Sequence, residues 1–193
     1  MNTATLISQI FHGAALNSAH LTFLDSILEE MYIPKGTTLL SANDPVHTQY
    51  YVIDGCLRTY FIDESGKEHT LQFAIKDWWI SDYTAFFKEE NAIMHIESLQ
   101  DTTVYGLSRK NMESMFEAIP QLESFFRVKL ERAFSSFQKR ILANLSKTAK
   151  ERYLDFIHTY PNIEQSVKNY HIASYLGITT ESLSRIRRQL TAE

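Results

Sequence analysis

Five side chains near the C-terminal end, Thr180, Glu181, Ser184, Arg185 and Arg188, recur at helical spacing, and every one can donate or accept hydrogen bonds. A carboxylate that accepts and a guanidinium that donates through a planar fork are the groups that pair with nucleobase edges in a major groove. A further arginine along the same face is placed to neutralise phosphate. Thr179 and Ser182 lie beside them and extend the polar set. The plain alternative is a solvated face on an ordinary helical hairpin, so the elements that carry these groups must discriminate.

Those elements read as two short helices joined at a glycine, between Asn169 and Ile186. Ile172, Ala173 and Leu176 fall on one face of the first helix. Gly177 follows where a helix end favours a residue that tolerates left-handed φ. Ile178 re-enters the core, and Thr179 is the expected N-cap of a second helix with an inward face of Leu183, Ile186 and Leu190. Ala173 is small where the helices would cross, which lets their backbones approach. Apolar positions, small residue and turn glycine together fit a helix-turn-helix that presents its second helix to double-stranded DNA.

Charge is distributed to match. The net charge of −4 divides into −10 for residues 1–126, with 7 basic and 17 acidic side chains, and +6 for residues 127–193, with 12 basic and 6 acidic. A basic C-terminal third on an acidic body is the asymmetry expected when one module meets phosphate and the other does not. A length of 193 residues with 44% hydrophobic content allows one large or two small packed domains. No apolar run approaches membrane-spanning length, and the first residues lack the basic start and apolar segment of a signal peptide. The single cysteine, Cys56, excludes an intrachain disulfide and a thiolate cluster. A cytoplasmic protein without membrane association is expected.

Upstream, Leu6, Ile7 and Ile10 mark one amphipathic helix. Leu21, Leu24, Ile27, Leu28 and Met31 mark a second, with Ser18 as its cap. Between Tyr32 and Ser108 the period becomes that of strands, with runs at Thr37–Leu40, Tyr50–Ile53, Leu57–Ile62, His69–Ala74 and Thr103–Leu107. Turn chemistry at Asp54-Gly55 and Glu64-Ser-Gly66-Lys67 separates them, suggesting an antiparallel barrel or sandwich. Ser108 caps a short helix, and Pro120 opens a long one. The long helix carries an apolar stripe of Leu122, Phe126, Leu130, Ala133, Phe134, Phe137 and Ile141 among charged residues. That stripe is expected to pack partly on the barrel and mainly to form the seam of a homodimer. Residues 143–149 are the expected hinge into a last domain whose core begins with Tyr153, Phe156 and Ile157, and Tyr160-Pro161-Asn162 ends that domain's first helix.

In this order of parts the chain resembles the Crp/Fnr superfamily of bacterial transcription regulators, and the resemblance covers nearly all of it. Tyr51-Val-Ile-Asp-Gly55-Cys-Leu-Arg58 is similar to the family's strand–glycine–strand signature, and Phe61-Ile-Asp-Glu-Ser-Gly66-Lys-Glu to its next hairpin. The fold implied is α+β: an antiparallel β-roll or jelly roll with flanking helices, a long dimerisation helix, and a C-terminal winged helix-turn-helix. The corresponding divisions are a cyclic-nucleotide-binding-like sensor at residues 1–119, the linker and dimerisation helix at 120–146, and the DNA-binding domain at 147–193. Glu181, Ser184 and Arg185 match the Glu-x-x-Ser-Arg pattern of the Fnr branch. The resemblance implies that Arg185 donates to guanine, that Glu181 accepts from a cytosine amino group, and that the half-site is TTGA-like. The catabolite-activator branch has an arginine where this chain has Thr180. RNA polymerase is an expected partner by the same resemblance.

The sensor module departs from the pattern of the family it resembles. Trp79-Ile-Ser81-Asp82-Tyr83 aligns with the aromatic-Ile-Gly-Glu-Leu part of the phosphate-binding cassette, so Ser81 replaces the glycine that permits close approach. Counting back from Ser108 places Ala92 and Ile93 at the cassette's Arg-Ser pair, so the phosphate arginine is missing. Cyclic AMP is therefore not expected to bind, no cofactor is identified, and the effector is unknown. Trp79, Ser81, Asp82 and Tyr83 outline the expected pocket, with Arg58 as a cation that could enter it. One cysteine also excludes the iron–sulfur mode of the Fnr branch.

Two other classes compete. A cupin-like metalloenzyme with a helical tail would use His47, His69 and His95, yet no His-x-His or His-x-x-x-His pair is present, and no metal site is assigned. A non-DNA-binding scaffold would not need the intact groups at Glu181, Ser184 and Arg185. No Ser-His-Asp or Cys-His arrangement and no phosphate-cradling glycine loop is readable, so no catalytic residue and no enzyme activity are assigned.

Overall fold

The computed structural model describes residues 3–161, 163–165 and 167–191. Two helices, α1 (Thr3–Ile10) and α2 (Ser18–Ile27), precede β1 (Glu29–Ile33), β2 (Thr38–Leu40), β3 (Thr48–Asp54), β4 (Cys56–Ile62), β5 (Glu68–Ile75) and β6 (Trp79–Ile80). A four-residue helix, α3 (Tyr83–Phe86), leads to β7 (His95–Ser98) and β8 (Thr102–Ser108). The rest is helical: α4 (Arg109–Ala118), α5 (Gln121–Ser146), α6 (Ala149–Thr159), a 3-10 turn (Ile163–Gln165), α7 (Asn169–Leu176) and α8 (Thr180–Thr191).

The strands form two four-stranded antiparallel sheets, ordered β1-β8-β3-β6 and β2-β7-β4-β5, packed face to face as a roll. Strand β4 alternates Leu57, facing the roll interior, with Cys56 and Arg58, facing outward, because successive side chains of a strand point to opposite faces. The turn between β3 and β4 requires glycine. Gly55 has φ +95°, and a Cβ there would sit 2.5 Å from Thr102 Oγ1. That same hydroxyl oxygen accepts from the Cys56 N–H at 3.1 Å.

One core fills the roll and continues under the N-terminal helices, α4 and the start of α5, through Phe11, Leu24, Ile80, Phe86, Met115 and Leu122, all at most 1% exposed where they pack. A second core is built on Phe156, Ile172, Leu176, Leu183 and Ile186 of the last three helices. It also takes in Cys56, Phe73 and Leu99 from the outer face of the β2-β7-β4-β5 sheet, so the two halves of the chain share it. The Cys56 thiol lies buried in that contact, and burial pushes its pKa up to about 12, which makes it an unreactive packing group.

Three sequence expectations need correction. The second helix does not reach Met31: it stops at Ile27, and Met31 pairs with Val104 in β1. Tertiary pairing with β8 outweighs the helical spacing of Leu28 and Met31. Its cap is Asn17 rather than Ser18, because the Asn17 carboxamide oxygen accepts from His20 N–H in a capping box. The wing implied by the resemblance is not found: among the described residues every strand belongs to the roll or its rim. Asn162, assigned to the end of α6, lies outside the described residues, and α6 itself ends at Thr159.

Candidate nucleic-acid interface and sensor cavity

Helix α7 ends at Gly177 in the left-handed conformation, with φ +65° and ψ +36°, and the Ile178 N–H donates to the Ala173 carbonyl at 3.0 Å. The chain turns there and α8 begins at once. Thr179 Oγ1 accepts from the Ser182 N–H at 3.2 Å, which is the N-cap that the spacing requires. Leu183 and Ile186 are buried against Ile172, Ala173 and Leu176 of α7, so the rotation of α8 is determined by its apolar side.

That rotation turns the polar set outward. Thr179, Glu181, Ser184, Arg185 and Arg188 are exposed, and Thr180 and Ser182 are half-buried at the start of the helix. Glu181 is held ionised: its own backbone N–H and the Thr179 and Thr180 hydroxyls hydrogen-bond its carboxylate and lower its pKa. An ionised acceptor and a guanidinium one turn apart, at the N-terminal end of an exposed helix, form a surface that can address base edges.

Sequence reasoning missed Arg187. Its side chain turns inward and braces the domain, donating to Tyr153 Oη at 3.1 Å and to Asn169 Oδ1 at 2.6 Å, with Glu164 at 3.4 Å. It ties α8 to α6, to the 3-10 turn and to α7. Nothing in the local pattern distinguishes this arginine from Arg185 or Arg188. Only the direction its position faces on α8 does so.

The expected sensor pocket is partly dispersed. Trp79 and Tyr83 line a cavity of about 1100 Å³ between the β3–β6 side of the roll and α5. Gln49, Gln72, Met112 and Phe116 line it too, as do Phe126, Phe134 and Phe137 of α5 and Tyr160 and Tyr175 of the helical domain. Trp79 Nε1 is buried and has no hydrogen-bond partner.

Ser81 and Asp82 serve the frame instead. Ser81 Oγ donates to the Thr48 carbonyl at 2.9 Å. Asp82 caps α3, accepting from the N–H groups of Thr84 at 3.0 Å, Ile93 at 2.9 Å and Met94 at 3.1 Å. Ala92 is buried and Ile93 is 65% exposed, so neither offers a cation.

Arg58, named above as a cation that could enter the pocket, does not. It lies on the outer face of the roll, 1% exposed, ion-paired with Glu68 and Glu97, 3.1 Å from Thr70 Oγ1 and 4.0 Å over the Tyr60 ring. The strand alternation that points Leu57 inward forces Arg58 outward. The histidines raised for a metal site are separated in the same way. His69 pairs with Asp63 at 2.6 Å and stacks on Phe61, while His95 stacks on Tyr60. Among the described residues no three potential metal ligands come together, and no helix is long and apolar enough to cross a membrane.

Residues 30–118 match the cyclic nucleotide-binding domain family. Across 95% of its length the chain is 26% identical to the anaerobic regulatory protein of Pasteurella multocida, covering 71% of that protein. It is 25% identical to the fumarate and nitrate reduction regulatory protein of Escherichia coli, over 93% of this chain and 76% of the relative. Among solved structures, FixK2 from Bradyrhizobium japonicum superposes with a TM-score of 0.75 at 20% identity, covering 86% of this chain and 85% of that one. The regulator CLP from Xanthomonas campestris gives 0.72 at 14% identity, covering 91% and 92%. A roll followed by a long helix and a helix-turn-helix is the order of parts the chain shares with these solved structures, and over nearly all of its length it is similar to regulators of the Crp/Fnr type.

Proposed function

We propose that the chain is a homodimeric, sequence-specific DNA-binding regulator whose reading element is α8. In this division residues 1–119 are the sensor, 120–146 the dimerisation helix and 147–193 the DNA-binding domain. One observation carries the reading: Leu183 and Ile186 lock one side of α8 into the core, which leaves Glu181, Ser184, Arg185 and Arg188 together on its open side. RNA polymerase is the partner such a regulator addresses, and a cytoplasmic location goes with that role. No catalytic role is assigned to any residue.

A dimer presents two copies of α8 about one helical turn of DNA apart, so the target is a near-palindrome with half-sites separated by roughly 10 base pairs. Selection of bound duplexes from a random pool tests this and returns the half-site, for which a TTGA-like sequence is expected. On the best selected duplex, Arg185→Ala should cost about 1–3 kcal/mol and blur the preference at one base pair. Arg188→Ala should weaken all sequences alike and flatten the salt dependence by about one phosphate contact. If both substitutions were silent in the same titration, α8 would not be the reader.

For the sensor, the carboxylate of Asp82 already occupies the Ile93 and Met94 amides that an anion in the cassette would use. A cyclic phosphodiester placed there would be buried against a carboxylate with no arginine to compensate. Calorimetric titration with cyclic AMP or cyclic GMP should give no saturable heat at micromolar ligand. Saturable binding coupled to tighter DNA binding would overturn that reading. The effector is unknown, and the cavity beside Trp79 and Tyr83 is the place proposed for it.

A further inference from the structure

The DNA-binding domain is not tethered to the roll by α5 alone; it is docked on it. Strand β5 is the edge of its sheet, and an edge strand presents unpaired N–H and C=O groups. In this molecule side chains of the helical part take up those groups. Ser174, in the middle of α7, accepts from the Thr70 N–H and donates to the Glu68 carbonyl, both at 2.9 Å. Arg140, near the end of α5, donates to the Leu71 carbonyl, and its guanidinium lies 4.9 Å from the centre of the Tyr175 ring of α7. Three bodies therefore meet within three residues of one strand: the roll, the long helix and the DNA-binding domain. Beneath them Phe73 packs edge-on against Phe156 and Tyr160, with ring centres 6.0 and 5.8 Å away.

The two kinds of contact do different work. Apolar burial around Phe73 is non-directional and holds the domain on the sheet without fixing where along the strand it sits. Hydrogen bonds to successive backbone groups are directional and fix that register. The docked face belongs to α7 and the end of α6, while Glu181, Ser184, Arg185 and Arg188 of α8 stay exposed, so the domain can remain docked while it reads DNA.

We propose that Ser174 and Arg140 form a clasp on the edge strand that sets the separation of the two reading helices in the dimer, and so determines the half-site spacing the protein accepts. The proposal rests on the dimeric DNA-binding reading above. Through the clasp, α8 is referred to α5, and through α5 to the partner copy. A rigidly held pair of binding modules meets its second site at high effective concentration for one spacing only, whereas a loosely held pair spreads that advantage over several spacings and lowers its peak. Without the clasp, the covalent connection is the Lys147-Thr148 step between α5 and α6.

The test uses the full chain and four duplexes: the best selected palindrome, the same palindrome with its centre lengthened or shortened by two base pairs, and a single half-site. The wild type should lose a large part of the roughly 10²–10⁴-fold gain from bivalence when the centre is changed. In Ser174→Ala, and more fully in Ser174→Ala with Arg140→Ala, the penalty for altered spacing should fall to within about 5-fold, while affinity for the best duplex falls by about 10-fold. Single half-site affinity should stay as in the wild type, and sedimentation should still show the dimer; a merely structural defect would lower half-site affinity as well. Ser174→Ala alone decides the matter should the double variant fail to fold. An unchanged spacing penalty in Ser174→Ala, or a wild type indifferent to spacing, would overturn the clasp. A wild type that bound no duplex selectively would instead overturn the DNA-binding reading on which it rests.

Discussion

Phe134→Glu should convert the protein from a dimer into a monomer at micromolar concentration and weaken its binding to a palindromic duplex by about 10²–10⁴-fold. The reason lies on α5. Leu122 and Phe126 are buried against the roll, but from there the apolar stripe runs into the open. Leu130, Phe134, Phe137, Ile141, Leu142 and Leu145 are all exposed, Phe134 by 65% and Leu145 by 80%. In the dimer proposed above, this unpartnered apolar surface between the roll and the helical domain is the face that the same helix of a second copy would cover around a two-fold axis.

In such a seam a glutamate one turn from Glu131 would add like charge to a contact that repeats across the axis, and the aromatic burial would be lost at the same time. In the monomer the substituted position is already in solvent, so thermal stability of the separated chain should change by no more than about 0.5 kcal/mol. Sedimentation velocity and anisotropy titration check both halves of the expectation, and single half-site affinity should be unaffected. A wild type that sediments as a monomer would remove the dimer from the account. So would a Phe134→Glu protein that remains dimeric.

The second large effect is a loss of stability in mild acid, centred on His171. This imidazole opens α7, is 4% exposed, and has its Nδ1 buried without a hydrogen-bond partner. Burial lowers its pKa to about 3, helped by the positive charges of Arg58 and Lys168 nearby. The folded state therefore disfavours the protonated form, while the unfolded chain takes up the proton near pH 6.5. Stability is fully present above about pH 6.5 and is lost progressively as pH falls from there toward 3, by about 1.4 kcal/mol for each unit. Between pH 6.5 and pH 5 the loss should be about 2 kcal/mol. Denaturant midpoints measured across that interval report it. His171→Leu removes the titrating group without orphaning a partner, so it should flatten the slope. A histidine protein whose midpoint did not move between pH 6.5 and pH 5 would show that the site charges without cost.

The helix-turn-helix was legible because its information is local. Gly177, Ala173 and the spacing of Leu183 and Ile186 determine which way α8 turns. Once the turn is known, Glu181, Ser184, Arg185 and Arg188 must face out together. The roll was legible in part. Strong runs such as Leu57–Ile62 and His69–Ala74 announce β4 and β5, because alternation and the Ser65-Gly66 turn act between neighbours. Strand β1 was hidden, since Leu28 and Met31 also suit a helix and only the partner β8, more than 70 residues later, draws Met31 into a strand. That the Asp82 carboxylate accepts from the Ile93 and Met94 N–H groups, 11 and 12 residues away, depends on how the chain folds back and is not legible in the local pattern.

By itself, then, the sequence determined the periods of its elements, the charge division between acidic body and basic end, and the outward face of one short helix. Each of these follows from residues within a few turns of one another. Tertiary structure decided the roles of side chains that chemistry alone leaves equivalent. Arg58, Arg140, Arg185 and Arg187 are the same residue type, yet one is a buried ion-pair centre, one clasps an edge strand, one is open to solvent and one braces three helices. Ser174 and the Glu68 carbonyl it bonds are 106 residues apart. An arginine or a serine carries its donors everywhere, but the acceptor it meets depends on how distant segments pack, and that packing is settled only when the two cores form together.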